Sequence, residues 1–345
     1  MRVIILLAVF ALFSIQCKDS GSFDTPGDNE PIPHDPVFNT IAFGSCNRVN
    51  LPQLLWNDIV ANNPDLWIWT GDIIYGDSEN MSVLSDKYDA QSEKSGYKSL
   101  LAQCPVIGIW DDHDYGKNNA GKEYGPKDES KTLLLDFLGV PGDDASRTRN
   151  GAYQSYVFGD TDKRVKFLLL DARYFRDEAV KENGVYIPNT TGTILGEAQW
   201  EWLGSELDDS DISLFVLVSG IQILPTQHRF EKWSNFPNER QRLIDLIALK
   251  QPKAVLLISG DRHIGEISVL EVPGLSYPLV DITSSGLTHV YEDNVYEKND
   301  LRQGVLVNKL NYGIIRIDWS QNPPDVTVEI RGNGAALYES IDIVF

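Results

Sequence analysis

Six times along this chain an apolar run of about five residues breaks off into side chains suited to binding a metal ion or a phosphate. The run Thr40–Ser45 is followed by Cys46, and Leu66–Trp69 by Gly71, Asp72, Tyr75 and Asp77. Pro105–Trp110 ends in Asp111-Asp112-His113-Asp114, and Val165–Leu170 in Asp171 and Arg173. Leu214–Val218 leads to Gln222, and Ala254–Ile258 to Asp261 and His263. Their length and their β-branched and aromatic content make these runs buried strands. Ligands of open α/β sheets bind beyond the carboxyl ends of the strands, so the pattern predicts loops converging on one rim. Each instance has an ordinary explanation when taken alone. Gly-Asp is a common turn, Asp-Asp-His-Asp suits a solvated acidic turn, and Arg173 could be half of an ion pair with Asp171. Six such breaks at equivalent positions favour the joint reading.

The order of elements sets the fold class. Helical segments at 51–61, 82–102, 130–138, 197–207 and 238–249 alternate with the early strands. A hairpin is expected over 153–158 and 165–170, and a surface insertion over 175–195. Later strands are expected at 265–271, 278–283, 312–318, 325–330 and 340–344. This order predicts an α/β fold of two packed sheets with helices outside, in one domain over residues 40–345.

Ahead of it stand Arg2, an eleven-residue apolar run from Val3 to Phe13, and Ser14-Ile15-Gln16-Cys17. The run is too short to span a bilayer and reads as a lipoprotein-type signal over 1–16, with Cys17 as the lipidated residue. Gln16 stands where a small residue is usual, so ordinary secretion stays open. Residues 17–39, rich in proline and acids, read as a flexible tether, with His34 solvated. The expected location is therefore outside the cytoplasm, periplasmic or at the cell surface, anchored by lipid to the outer membrane.

The chain has 345 residues and a net charge of −20, from 30 basic and 50 acidic side chains. A field of that sign argues against non-specific nucleic-acid binding, and against an anionic substrate unless metal ions reverse it locally. Three cysteines make no disulfide framework. If their strands are parallel, Cys46 and Cys104 lie at opposite ends of the sheet, roughly 16 Å apart where a disulfide needs Cα atoms within about 7 Å. Cys104 is then a small buried hydrophobe, and Cys46 needs another role. A carboxylate and a phenol delivered together by Asp72 and Tyr75 suit a hard, highly charged cation.

Taken together, Gly44-Ser45-Cys46-Asn47, Gly71-Asp72-Ile73-Ile74-Tyr75, Trp110-Asp111-Asp112-His113-Asp114, Leu170-Asp171-Ala172-Arg173, Gln199-Trp200, Ser219-Gly220-Ile221-Gln222 and Ser259-Gly260-Asp261-Arg262-His263 resemble the alkaline phosphatase D (PhoD-like) metallophosphatases. The resemblance covers roughly residues 40–290, in order. It implies a calcineurin-like four-layer α/β/β/α sandwich, hydrolysis of phosphodiesters and phosphomonoesters, and a site for Fe3+ and Ca2+. It also implies that Asp72 bridges the two metals, that Cys46, Tyr75 and His263 complete the iron site, and that Asp112 and Asp261 face calcium. Asn118 or Asn119 would assist calcium, His113 would lie beside the phosphate, and Arg173 would contact it. Thiolate and phenolate donors suit a ferric ion, and carboxylate and amide oxygens suit calcium. A histidine-rich dimetal site needs histidine where Gln222 and Asp261 stand, and only His113 and His263 of the five histidines are suitably placed. His228 and His289 are expected to be structural or to support the ligands from behind.

Two features depart from the family. The short segment before Thr40 cannot hold the extra N-terminal β-sandwich often found there, and loops 223–236 and 175–195 carry no substrate signature. The expected reaction is in-line attack by a metal-bound hydroxide, with His113 assisting the leaving oxygen. Metal activation of water is worth about 12 kcal/mol, against roughly 3 to 5 kcal/mol for a lone general base, so cations carry most of the catalysis. The alternative is a catalytically inactive surface lipoprotein that binds calcium or a phosphate ligand in the same pocket.

Overall fold

The computed structural model describes residues 36–292 and 297–345; the signal, Cys17, His34 and most of the tether lie outside them. The tether's last residues are not free. Phe38 is buried with its ring 4.5 Å from that of Phe158, so the packed domain begins slightly before Thr40.

The chain opens as alternating strands and helices: β1 (Thr40–Gly44), α1 (Trp56–Ala61), β2 (Leu66–Thr70), α2 (Met81–Ser92), α3 (Ser95–Leu101) and β3 (Val106–Ile109). Next come the single-turn α4 (Asp112–Tyr115), then α5 (Lys127–Phe137), α6 (Ala145–Thr148), β4 (Gln154–Phe158) and β5 (Val165–Leu170). The 175–195 segment folds as a small hairpin, β6 (Lys181–Glu182) and β7 (Val185–Tyr186). The next elements are α7 (Gly196–Glu206), β8 (Leu214–Ser219), α8 (Pro237–Lys250) and β9 (Val255–Ser259). Strands then dominate: β10 (Gly265–Leu270), β11 (Leu279–Ser284), β12 (Arg302–Val307), β13 (Tyr312–Asp318), β14 (Asp325–Arg331) and β15 (Leu337–Ile343).

Two mixed sheets result. The first has the order β15-β14-β13-β1-β2-β3, and the second β12-β10-β11-β9-β8-β5-β4. Strands β1, β2 and β3 run parallel, as do β5, β8, β9 and β11. Side-chain alternation explains the layering. Phe167 and Leu169 of β5, Val216 and Val218 of β8, and Leu256 and Ile258 of β9 enter the core shared with Ile41, Ile68 and Ile315 of the other sheet. Their neighbours Leu168, Leu170, Phe215, Leu217 and Leu257 face the other way, onto Trp200 and Leu203 of α7 and Leu243 and Ile247 of α8. The first sheet is covered by Trp56 of α1 and Tyr97 of α3, which pack edge-on and tilted against Trp69. Strands with both faces covered need apolar side chains at nearly every position, which is why they read as near-continuous runs.

Three expectations change. Residues 51–55 precede α1 instead of belonging to it, the 82–102 helix is two helices broken at Glu93-Lys94, and β12 was not expected. Cys46 and Cys104 are both buried free thiols. Among the described residues no helix is long and apolar enough to cross a membrane.

Candidate metal centre

The parallel strands of both sheets end at one rim, and backbone hydrogen bonds tie their loops together. Asn47 N–H donates to the Asp72 carbonyl at 2.9 Å, and Gly260 N–H to the Gly220 carbonyl at 3.0 Å. The loops turn so sharply that Cys46, Asp72, Asp261 and His263 all have positive φ, between 50° and 67°. Non-glycine residues rarely adopt this conformation, and such strain gathers where the surrounding structure holds a functional geometry.

The turns bring eight side chains together. Cys46 Sγ lies 3.4 Å from Asp72 Oδ2, and the Tyr75 hydroxyl donates to the same oxygen at 3.2 Å. The phenol oxygen is also 3.0 Å from His263 Nε2. Ligand atoms of Cys46, Asp72 and His263 lie within 4.8 Å of one another, as do those of Asp72, Asp112 and His113, and those of Asp111, Asp112 and Asp261. Asp72 joins the first two groups and Asp112 the last two, which is the pattern expected of adjacent cations sharing a carboxylate.

The local electrostatics call for positive charge. Cys46, Asp72, Asp111, Asp112 and Asp114 are all buried. Burial pushes the Cys46 thiol, the Tyr75 phenol and the Asp72 and Asp111 carboxyls well above their usual values, and neighbouring acids add to the effect. Burial likewise takes Asp114 and Asp261 to about 7. Asp112 is the exception. Burial raises it, but Arg173, His113 and the Asn119 N–H together hold it below the normal range. Asp112 Oδ1 and Asp111 Oδ2 are buried without a hydrogen-bond partner. Unpaired buried carboxylate oxygens are costly, so this donor set fits bound cations: sulfur, phenol and imidazole on one side, carboxylate oxygens on the other.

His113 sits against this cluster, its ring 4.0 Å from that of Tyr75 and its Nδ1 2.7 Å from Asp77 Oδ1. Burial lowers its pKa, but Asp72, Asp77 and Asp112 outweigh burial and raise it to about 10. By contrast, burial and the charges of His289, His113 and Arg48 hold His263 at about 3. Burial and the Arg48 and His113 charges hold His289 at about 4. Both therefore present neutral imidazoles.

Some expected residues lie elsewhere. Arg173 is fully buried and cannot meet a phosphate in this arrangement: Nε and Nη2 are on Asp111 Oδ1, and Nη1 is on Glu231 at 2.7 Å. Its predicted partner Asp171 is instead saturated by N–H groups of Trp110, Ala152, Arg173 and Tyr174. Asn118 is exposed, and its neighbour Asn119 donates its backbone N–H to Asp112 Oδ2 at 2.5 Å. Gln222 turns its amide to Glu266 and Thr283. His228 is buried, its Nδ1 accepting from Phe230 N–H.

The sequence reading did not place His289, expected only to be structural or to support the ligands from behind, beside Tyr75: its Nε2 lies 3.1 Å from the Tyr75 hydroxyl and its ring 4.3 Å from that of His263. It follows the parallel strand β11 at the same rim, a seventh instance of the strand-then-break pattern. Asp77, Asp111 and Glu231 were also missed as partners of His113 and Arg173.

Two mixed sheets between helices, with overlapping ligand groups at the carboxyl ends of the parallel strands, define the metallophosphatase class of fold. The PhoD-like phosphatase family matches residues 41–284, and the chain belongs to that family. Alkaline phosphatase D of Bacillus subtilis (strain 168) is 25% identical in an alignment spanning 297 residues that covers 72% of this chain and 48% of that protein. The chain thus spans about half the length of the curated relative it matches. Among solved structures, PhoD superposes with a TM-score of 0.70 at 19% identity, over 90% of this chain and 71% of that one. A dimetal phosphatase from Danio rerio gives 0.56 at 14% identity, over 90% of this chain and all of its own. GAP50, the anchor in the inner membrane complex of Plasmodium, gives 0.56 at 12%, over 89% of each. At these identities the structural likeness is one of fold.

Proposed function

We propose that this chain is a metal-dependent phosphoesterase that hydrolyses phosphodiesters, phosphomonoesters or both. The observation that carries the reading is the series of overlapping ligand groups linked through Asp72 and Asp112, in a member of the PhoD-like family. Cys46, Asp72, Tyr75 and His263 would hold one cation, and Asp72, Asp112 and Asp261 a second, with Asp111 added by the geometry. The donor chemistry favours Fe3+ at the first and Ca2+ at the second. Bound cations supply charge withdrawal from phosphoryl oxygens and acidification of water.

The chain's own groups do the rest. His113, held by Asp77, is placed to donate a proton to the departing oxygen. Arg173 does not touch substrate in this reading. It fixes Asp111, and its charge helps keep Asp112 ionised. His289 orients the Tyr75 phenol.

The positive start, the apolar run at 3–13 and Cys17 support export with a lipid anchor as part of the same reading. Incorporation of labelled palmitate into wild type and not into Cys17→Ser tests the anchor. Protein loaded with iron and calcium should hydrolyse bis-p-nitrophenyl phosphate or p-nitrophenyl phosphate, and Asp72→Asn should lose turnover while remaining folded. Elemental analysis decides which metals it carries. Protein that takes up metal and phosphate but turns over neither ester is a binding protein, and the enzyme reading fails.

A further inference from the structure

We propose that Arg48 is the residue that receives the substrate's phosphoryl group at the mouth of the metal centre. The proposal rests on the phosphoesterase reading and assigns the phosphate contact that Arg173 cannot make. Arg48 is exposed, and its guanidinium carbon lies 4.6 Å from the centroid of the Tyr75 ring, whose hydroxyl enters the ligand cluster.

Charge makes such a group necessary. Cys46, Asp72, Tyr75, Asp112 and Asp261 bring five negative charges when all are ionised as ligands, which a trivalent and a divalent ion together only cancel, while Asp111 is answered by Arg173. An anionic ester then needs a further cation, in a chain whose net charge is −20.

Several other cationic side chains around the centre are already engaged. Arg173 and Arg176 are enclosed by Asp111 and Glu231. Arg262 pairs with Glu297 and lies under Phe230. Lys232 is held by the carbonyls of His228 and Phe230, and His113 is answered by Asp77. Among the described residues, the Arg48 guanidinium has no acidic partner, only the Tyr75 ring face.

Its backbone is nonetheless fixed. Arg48 N–H donates to Thr288 Oγ1 at 2.8 Å, and that hydroxyl donates to the Cys46 carbonyl at 3.0 Å. A pinned base with a free planar fork suits bidentate capture of phosphate oxygens, and lysine cannot reproduce that geometry.

The test uses full-length protein loaded with iron and calcium, at equal metal content, in wild type, Arg48→Gln and Arg48→Lys. Calorimetric titration with inorganic phosphate should show binding weakened roughly ten- to hundredfold in Arg48→Gln and partly restored in Arg48→Lys. For p-nitrophenyl phosphate, KM should rise far more than kcat falls, because the arginine binds ground state and transition state alike. If wild type binds phosphate and Arg48→Gln binds it within about twofold, this assignment is wrong and the phosphoesterase reading stands. If loaded wild type neither binds phosphate nor hydrolyses an ester, both fall together.

Discussion

Arg173 places two nitrogens on one oxygen of Asp111, with Nε at 2.7 Å and Nη2 at 2.6 Å from Oδ1. Both side chains are fully buried, and the same guanidinium reaches Glu231. Removing one partner of a buried pair leaves an uncompensated charge, at a cost of about 3 to 5 kcal/mol. Arg173→Met keeps most of the volume and should lower unfolding stability in urea by that order. A direct phosphate contact predicts the opposite profile, unchanged stability with a raised KM, so the two roles separate in one pair of measurements.

His113 and Asp77 form an oriented proton donor only if the leaving oxygen needs a proton. An alkyl phosphoester has a basic leaving group, and loss of a general acid there typically costs about 10²- to 10⁴-fold in rate. p-Nitrophenolate leaves readily without a proton. His113→Gln should therefore slow alkyl esters severely and p-nitrophenyl esters little, with Asp77→Asn intermediate. Equal losses in kcat on both substrates would show that His113 acts on something other than the leaving group.

The strands were legible because burial on both faces leaves little room for polar residues; β5 and β8 are buried at every position, and Lys166 is accommodated in β5 only through ion pairs with Glu206 and Asp209. Strand β12 was not, since only Val307 of its six residues is buried and Gly304 interrupts it at φ 70°. The break between α2 and α3 carries no proline or glycine, and the close approach of Gly96 to Trp56 is a tertiary fact. Cys46, Asp72, Tyr75, Asp112, Asp261 and His263 could be named as candidates because each follows a strand closely. Their partners could not. Arg173 meets Asp111 across 62 residues, and Glu231 comes from a loop with no periodicity. Of the adjacent Asn118 and Asn119, the first is exposed and the second accepts from the Tyr186 hydroxyl through its side chain, contacts that residue type alone does not reveal.

Metal removal should create a pH dependence of stability with a definite sign. In the metal-free protein, burial raises Asp114 and Asp261 to about 7 from an unfolded value of 3.8. The folded state then holds protons that the unfolded chain has released, so their contribution is lost as pH rises through about 7. Below about 6.5 the depressed imidazoles of His228, His263 and His289 oppose this, because the unfolded chain takes up their protons. From about pH 6.5 to pH 8 the two acids and His113, raised to about 10 from an unfolded value of 6.5, act in the same direction, and that is the window to measure. Chelated protein should unfold at lower urea concentration at the upper end, and iron and calcium loading should flatten the slope while raising the midpoint. A metal-free midpoint that rises with pH across that window contradicts the assignment of the acid cluster.

Gly71 and Gly220 both abut Asp111, but for different reasons. At Gly71 φ is +88°, and an added Cβ would lie 2.4 Å from the Asp111 Cβ. Gly71→Ala therefore combines a disfavoured backbone with a collision against a carbon that Arg173 and the capping contacts hold in place. A loss above about 2 kcal/mol is expected, together with weaker metal retention on dialysis. At Gly220 the backbone is ordinary, and the clash is with Asp111 Oδ1 at 2.4 Å, the oxygen that Arg173 grips. Gly220→Ala should cost less in folding and act mainly by shifting that carboxylate. Comparing urea midpoints and metal content of the two variants separates backbone strain from displacement of Asp111. Indistinguishable losses of stability would mean that the positive φ at Gly71 contributes nothing of its own.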